Sequence, residues 1–302
     1  MLKKLVSAIV VATLLLSCAG NYATSFAQRA TMPPLLQVNE YDVLQHIKSL
    51  SDEELMAKGY TKAEIIAARA IDYGQHLRAL SKLDTRTLRR LRYTEEQISL
   101  FRRFDGSDEQ MRALAATLFI WAGFQEWHYE PNPANNSWVR MWVSWAWSGV
   151  PGGSLHDRLV LGWSHGFRLD RNPSVTYASV NYYYESVFGY WATETVLPSP
   201  DANHPGTDIN SAEFVIDMRK GIRGLWCRAL DGSARIRVFD PGPEDSINLF
   251  VSYGHRASIL ALTPGWSILG GFDVSINWAG FWVNYDYDAG NLNIFTGAVT
   301  RP

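Results

Sequence analysis

The sequence predicts an α+β protein, with a small N-terminal helical repeat region followed by a large antiparallel β-sandwich or barrel-like domain. Three observations predict it. Helix-start signals between residues 50 and 105 recur at an offset of 33 residues. All twelve tryptophans lie between Trp121 and Trp282, in a stretch that reads as short alternating strands. The charge balance changes at the same place: residues 28–107 hold 13 Lys+Arg against 11 Asp+Glu, and residues 108–302 hold 13 against 19. A composition shift of this kind marks a domain boundary, placed here near Gly106.

Residues 1–27 read as a signal peptide. Lys3 and Lys4 precede an apolar run from Leu5 to Leu16, too short to span a bilayer. Ser25-Phe26-Ala27 offers a small-x-small cleavage site before Gln28. Leu15-Leu16-Ser17-Cys18 resembles a lipoprotein box, and lipidation of Cys18 is the alternative outcome. No later stretch has the apolar length of a membrane helix, so the expected location is outside the cell, with no transmembrane span. Cys227 is then the lone cysteine of the mature chain, which rules out an intrachain disulfide and a paired-cysteine metal site. A net charge of −2 gives no sign of nucleic-acid binding.

Residues 28–39 read as a flexible leader around Pro33-Pro34, and residues 40–106 as the helical repeat region. Leu55, Gly59, Tyr60, Thr61, Ile65, Arg69 and Asp72 align with Leu88, Arg92, Tyr93, Thr94, Ile98, Arg102 and Asp105. Ser51 with Glu54, Thr61 with Glu64 and Thr94 with Gln97 have the spacing of capping boxes, in which each side chain satisfies the other residue's free amide. Each copy is expected to form a short helix, a turn and a longer helix. Two copies are too few for a solenoid. Arg69, Arg102 and the run Arg86, Arg89, Arg90, Arg92 are read as a solvated helix face near Glu95 and Glu96.

The pattern SDEEL…GYT…EI…R…D with YTEEQISLFRRFDGS, leading into a tryptophan-rich region, resembles a group of uncharacterised secreted bacterial proteins. The resemblance covers residues 50–120 most closely. It implies export and the two-part layout, and it implies no activity.

Residues 107–302 read as the antiparallel β-domain. The stretch Ser137–Ser148 carries four tryptophans. At period two, Val139, Met141, Val143, Trp145 and Trp147 share a core face, and Trp138, Arg140 and Trp142 project from the other. Asp231-Gly232 is read as a two-residue hairpin turn that puts Leu225, Cys227, Ala229, Ala234, Ile236 and Val238 on one face. Ala279-Gly280 is read as a second turn, joining strands 272–278 and 281–287.

The candidate contact residues follow from these faces. Trp138, Arg140 and Trp142 would form a flat aromatic surface with a cation at its centre if that face is open, or core if it is covered. Trp226, Arg228, Arg235 and Arg237 would form a basic patch able to hold an anionic glycan, wall polymer or head group, unless acids such as Glu213 and Asp217 neutralise it. Asp273, Asp286 and Asp288 lack the ligand order of a calcium loop. Glu126, His128 and Glu130 alternate onto one strand face without a metal motif. Glu126 and Glu130 are the pair a hydrolase reading would use. No catalytic residue, metal site or cofactor is assigned.

The expected function is a non-catalytic extracellular binding or envelope-associated protein recognising a glycan or cell-wall polymer. The alternatives are a secreted polysaccharide hydrolase, and a membrane-acting or self-assembling β-protein. The oligomeric state is not legible.

Overall fold

The computed structural model describes residues 33–58, 60–132, 136–152, 156–164, 166–184, 191–199, 210–222, 225–240, 245–258 and 280–301. The signal segment, Cys18 and the expected strand 272–278 with Asp273 lie outside the described residues, as do the side chains of residues 281–288. The described part is an α+β protein with a helical layer on an antiparallel β-sandwich.

Seven helices are present among the described residues: α1 (Glu40–Ser49), α2 (Asp52–Ala57), α3 (Lys62–Ala70), α4 (Tyr73–Ser81), α5 (Thr85–Arg90), α6 (Glu95–Arg102) and α7 (Asp108–Leu114). The three capping boxes form at the starts of α2, α3 and α6. Each copy also holds a helix that was not expected, α1 in the first and α4 in the second. The repeat extends to tertiary contacts. Arg69 donates to the carbonyls of Lys48 and Leu50 and to Asp52. Arg102 donates to the carbonyls of Ser81 and Leu83 and to Thr85, and each of these partners lies 33 positions further on (48 to 81, 50 to 83, 52 to 85). The two arginines are exposed, as expected of a solvated face, and they also make specific contacts. They satisfy carbonyls left open at and just beyond the ends of α1 and α4, as cations near a helix C-terminus do.

The segment read as a flexible leader is partly a strand. Residues Leu36–Asn39 form β1 and pair with Ile120–Thr117 of β2 (Thr117–His128). All seven helices thus connect two neighbouring antiparallel strands. The helical layer leaves the sheet at Asn39, whose side chain caps α1, and returns at Thr117.

One sheet runs β1–β2–β3–β10–β6–β7, with β5 and β9 also pairing β10. The further strands are β3 (Ser137–Ser148), β5 (Arg168–Leu169), β6 (Tyr177–Tyr184), β7 (Trp191–Val196), β9 (Arg219–Ile222) and β10 (Leu225–Asp240). The other sheet runs β13–β12–β11–β4–β8, from β13 (Val299–Thr300), β12 (Gly280–Asn293), β11 (Ser246–Ser258), β4 (His156–Trp163) and β8 (Asn210–Asp217). Their inner faces share one core. Val139, Met141, Val143, Trp145 and Trp147 fill it from the first sheet; Leu159, Leu161, Phe214, Leu249 and Tyr253 fill it from the second.

The Asp231-Gly232 turn does not form. β10 runs straight through both residues, pairing Asp231–Asp240 with β3 and Cys227–Arg235 with β6. The reason lies in Trp145, directly opposite Gly232. A Cβ on Gly232 would sit 2.2 Å from the Trp145 ring and 2.6 Å from the Ser179 carbonyl oxygen. Glycine is there to admit an indole onto the strand, not to bend it. The expected burial of Cys227, Ala229, Ala234, Ile236 and Val238 still holds. A bulge between Ala229 and Asp231 inserts one residue, and that reverses face parity just as a two-residue turn does. The side chain of Leu225 lies outside the described ones.

Two measurements check this register. Gly232→Ala should cost about 1–3 kcal/mol of stability as an overpacked contact. The loss should shrink in a Trp145→Leu background, which a double-mutant cycle in urea reads directly. Cys227, buried in the core, should resist a thiol reagent in the native protein and react after unfolding.

Candidate functional site

The outer face of the first sheet carries the predicted aromatic group, and it is not a flat open surface. Trp142 is 5% exposed. Its indole lies against Gly123, the residue opposite it on β2, and β10 places Arg235 on its other flank. Trp138 is half-buried. Its ring stacks on His128, with centroids 6.1 Å apart, and the guanidinium carbons of Arg140 and Arg237 lie 5.8 and 5.9 Å from it. Such distances suit cation–π contact. The two arginines face each other across β3 and β10. Each is neutralised from its outer side: Arg140 by Glu126 at 2.5 Å, and Arg237 by Asp170. The result is one row crossing the sheet, two cations flanked by two anions, with Trp138 beside the cations.

The predicted basic patch is likewise dispersed. Arg228 and Arg235 lie on the same strand, so they do not oppose each other across a hairpin. Arg228 is 8% exposed and faces Tyr183 and Arg219 across neighbouring strands. Arg219 stacks over the half-exposed Trp226 at 4.7 Å, and Lys220 pairs with Glu194. Glu213 and Asp217, expected as neutralising acids, lie in the other sheet and pair with Arg158 and His156. Of the seven predicted contact residues, the structure brings Trp138, Arg140 and Arg237 together, with Trp142 and Arg235 beside them. Trp226 and Arg228 sit at the far end of β10.

Glu126 and His128 do share one face, where Glu126 holds Arg140 and His128 stacks on Trp138 and lies 3.7 Å from Glu130. Among the described residues, no group of three potential ligands is placed to hold a metal ion.

Sequence reasoning missed an aromatic end. Trp127, Tyr129 and Phe295 are exposed, Phe295 most of all at 65%. Trp127 and Tyr129 stand at and beyond the end of β2, and Phe295 stands on the turn between β12 and β13. Tyr129 and Phe295 meet edge to face at 5.0 Å. The Trp127 ring rests on Gly297, where a Cβ would fall 2.3 Å away and where φ is +73°. This end is opposite the helical layer, which joins β2 at Thr117. The signal was available in part, since Trp-His-Tyr at 127–129 stands out, but Phe295 approaches only through the fold.

Sequence reasoning also missed a buried polar cluster beneath the helices. His255 on β11 is 1% exposed. Its Nδ1 donates to Asp157 on β4 at 2.8 Å, and its Nε2 lies 3.4 Å from Glu40 of α1, off the direction of a hydrogen bond. The other Asp157 oxygen accepts from Tyr253 at 2.7 Å. Glu40 accepts from Tyr73 at 2.7 Å and from the Gly152 amide at 2.8 Å. Burial pulls the imidazole down, but the charge and hydrogen bond of Asp157, with Glu40 behind it, outweigh this and raise it to about 10. Burial pushes Glu40 up, and His255, His76 and Tyr73 together bring it below its ordinary value. His255 is thus a cation between two carboxylates. With so little exposure it offers no room for a substrate, and its role is to join two layers of the fold.

A second buried carboxylate does the same. Asp231, at the bulge of β10, is fully buried and accepts from Asn181 at 2.5 Å and Tyr183 at 2.7 Å. It pairs with Arg92, which reaches across from the helical layer and also lies over the Tyr183 ring. Arg92 occupies the position of Gly59 in the first copy and has φ +66°. That conformation is costly for a residue with a Cβ, and here it aims the guanidinium at the sheet.

No protein-family model matches the chain, and no curated protein matches it. Three solved structures show a distant likeness. One is described as a pore forming protein: TM-score 0.27, 8% identity, 61% of this chain and 95% of that one covered. The second is Clostridium perfringens delta-toxin, at 0.24 and 8%, covering 61% and 87%. The third is AvmM, described as catalysing macrocyclization in alchivemycin A biosynthesis, at 0.23 and 14%, covering 57% and 89%. Overlaps this low carry no argument about function.

The two predicted tryptophans should now part company. Trp142→Ala empties a buried site and should cost about 3–5 kcal/mol. Trp138→Ala, half-exposed beside the charge row, should cost clearly less. Parallel urea titrations of the two variants make the comparison.

Proposed function

We propose that this is an exported, non-catalytic binding protein of the cell envelope, and that its ligand is a glycan or cell-wall polymer. The observation that carries the reading is the exposed aromatic end formed by Trp127, Tyr129 and Phe295, with Trp138 and His128 just around the edge of the sheet. Aromatic rings bound sugars through their faces, and exposed rings held in fixed positions lose little entropy on binding. Trp127 is so held, by its seat on Gly297. The nearby arginines already have carboxylate partners, which favours neutral sugars over a polyanion. The export signal at residues 1–27 is consistent with this role.

A membrane-acting role is the second reading, and one observation favours it. Phe295 is the most exposed of the three rings, stands on a turn, and has no polar group to offer a sugar. Aromatic side chains in such positions also enter the interface of a lipid bilayer.

Retention of the mature protein on insoluble cell-wall polysaccharide separates the two. Phe295→Ala and Trp127→Ala together should lower retention at least about tenfold, the equivalent of 1.4 kcal/mol. Retention should change little between low and high salt. Unaltered retention in the double variant would remove the aromatic end from the reading. Binding to neutral phospholipid vesicles, with none to the polysaccharide, would favour the membrane role instead.

A further inference from the structure

Among the described residues, several polar contacts join the helical layer to the sandwich, and each layer has an apolar core. Glu40 faces His255 and accepts from Gly152. Tyr73 accepts from the amide of Ala116 at 3.2 Å, Tyr93 accepts from that of Val150 at 3.0 Å, and His76 donates to the Val150 carbonyl at 3.1 Å. Arg92 reaches Asp231. Groups of this kind are rehydrated when an interface opens, so parting costs less than exposing apolar surface of the same extent. The chain is also tethered on both sides of the layer, by β1 and β2, so the helices can part from the sandwich without being lost.

We propose that the helical layer is a cap held shut by the Glu40–His255–Asp157 bridge, and that removing the proton from His255 releases the helices while the sheets stay folded. This goes beyond the binding role proposed above and does not depend on it. The charge at the bridge explains the direction. With His255 protonated, one cation lies between the carboxylates of α1 and β4. Without that proton, two buried anions face each other across a neutral ring. The described neighbours of the bridge are neutral or already engaged. On α4, burial lowers His76 below 6.5, so it carries no charge in the alkaline range, and Tyr73 is already donating to Glu40. On β11, Tyr253 is donating to Asp157, and Trp147 of β3, 4.9 Å from the His255 ring, has no charge. Tyr93 keeps its proton, because burial pushes the phenol far up. Arg228 of β10 acts on His76 and Tyr93.

The sign follows from linkage. The closed state raises His255 from its ordinary 6.5 to about 10. Its contribution to closure is therefore complete below the open-state value and is lost as pH rises toward 10. In the open state Asp157 still faces His255, so the open-state value lies above 6.5 and the loss begins there. Glu40 is held below its ordinary value, so its contribution is present above 4.5 and is lost as pH falls. Closure is strongest between these limits.

Hydrogen exchange of the full mature chain, corrected for intrinsic rates, tests the proposal. Between pH 8 and 10, protection of α1 and α4 should fall by up to about tenfold per pH unit, the limit for one proton. Amides of β3 and β10 should keep theirs. Glu40→Gln should lower helix protection at pH 7 and flatten its dependence on alkaline pH. Loss of strand protection in parallel with the helices would overturn the proposal, because that is global unfolding. An undiminished slope in Glu40→Gln would overturn it too. If that variant does not fold, the wild-type protein still decides. Nitrogen-15 shifts of the His255 ring should report imidazolium at pH 7.5, and a neutral ring there would overturn the proposal.

Discussion

The seat of the Trp145 indole on Gly232 is the contact on which the rest of this structure depends. It lets β10 continue through a dipeptide that ordinarily turns a chain, and β10 is the strand to which β3, β6, β5 and β9 all bond. A side chain at position 232 would collide with both the indole and the backbone of β6. The bulge just before it then turns Asp231 outward to meet Arg92. One close packing contact thus joins the centre of the larger sheet and places a buried anion for the helices to find.

The attachment of the helical layer shows what buried charge does well. A buried ion pair adds little net stability, because desolvation offsets much of the attraction. Removing one partner is costly, and so is any misplacement. Glu40 with His255, and Arg92 with Asp231, therefore define where the layer sits, and its hold weakens when one of them loses its charge. Arg92 takes a left-handed backbone conformation at the position where the first copy has glycine. The two copies of the repeat share internal contacts residue for residue, and they differ where one of them must reach the sheet.

The outer face of the larger sheet is a lesson in pairing. Alternation correctly separates Trp138, Arg140 and Trp142 from the core face, and alternation says nothing about what each side chain meets across the strands. Glycine at 123 lets Trp142 sink into the sheet. Glu126 and Asp170 neutralise the arginines on either side of Trp138. The exposed aromatics gather instead at the end of the sandwich, where strand β2 and the β12–β13 turn meet.

The sequence by itself determined the α+β class, the 33-residue repeat, three capping boxes, the inward face of β3 and the burial of Cys227. These are local matters: they depend on hydrogen bonds within a few residues or on side-chain period along one strand. Only the tertiary structure decided that residues 36–39 are a strand, that Asp231-Gly232 is not a turn, and that Glu40, Asp157 and His255 meet. Each of these depends on partners between 84 and 215 positions away (36 to 120, 145 to 232, 40 to 255). A lone glutamate in the first turn of a helix reads as a favourable charge at its N-terminus, and a lone histidine in a strand reads as nothing. Burial gives both their meaning, because a charge removed from water must find its counterpart in whatever the fold brings near it.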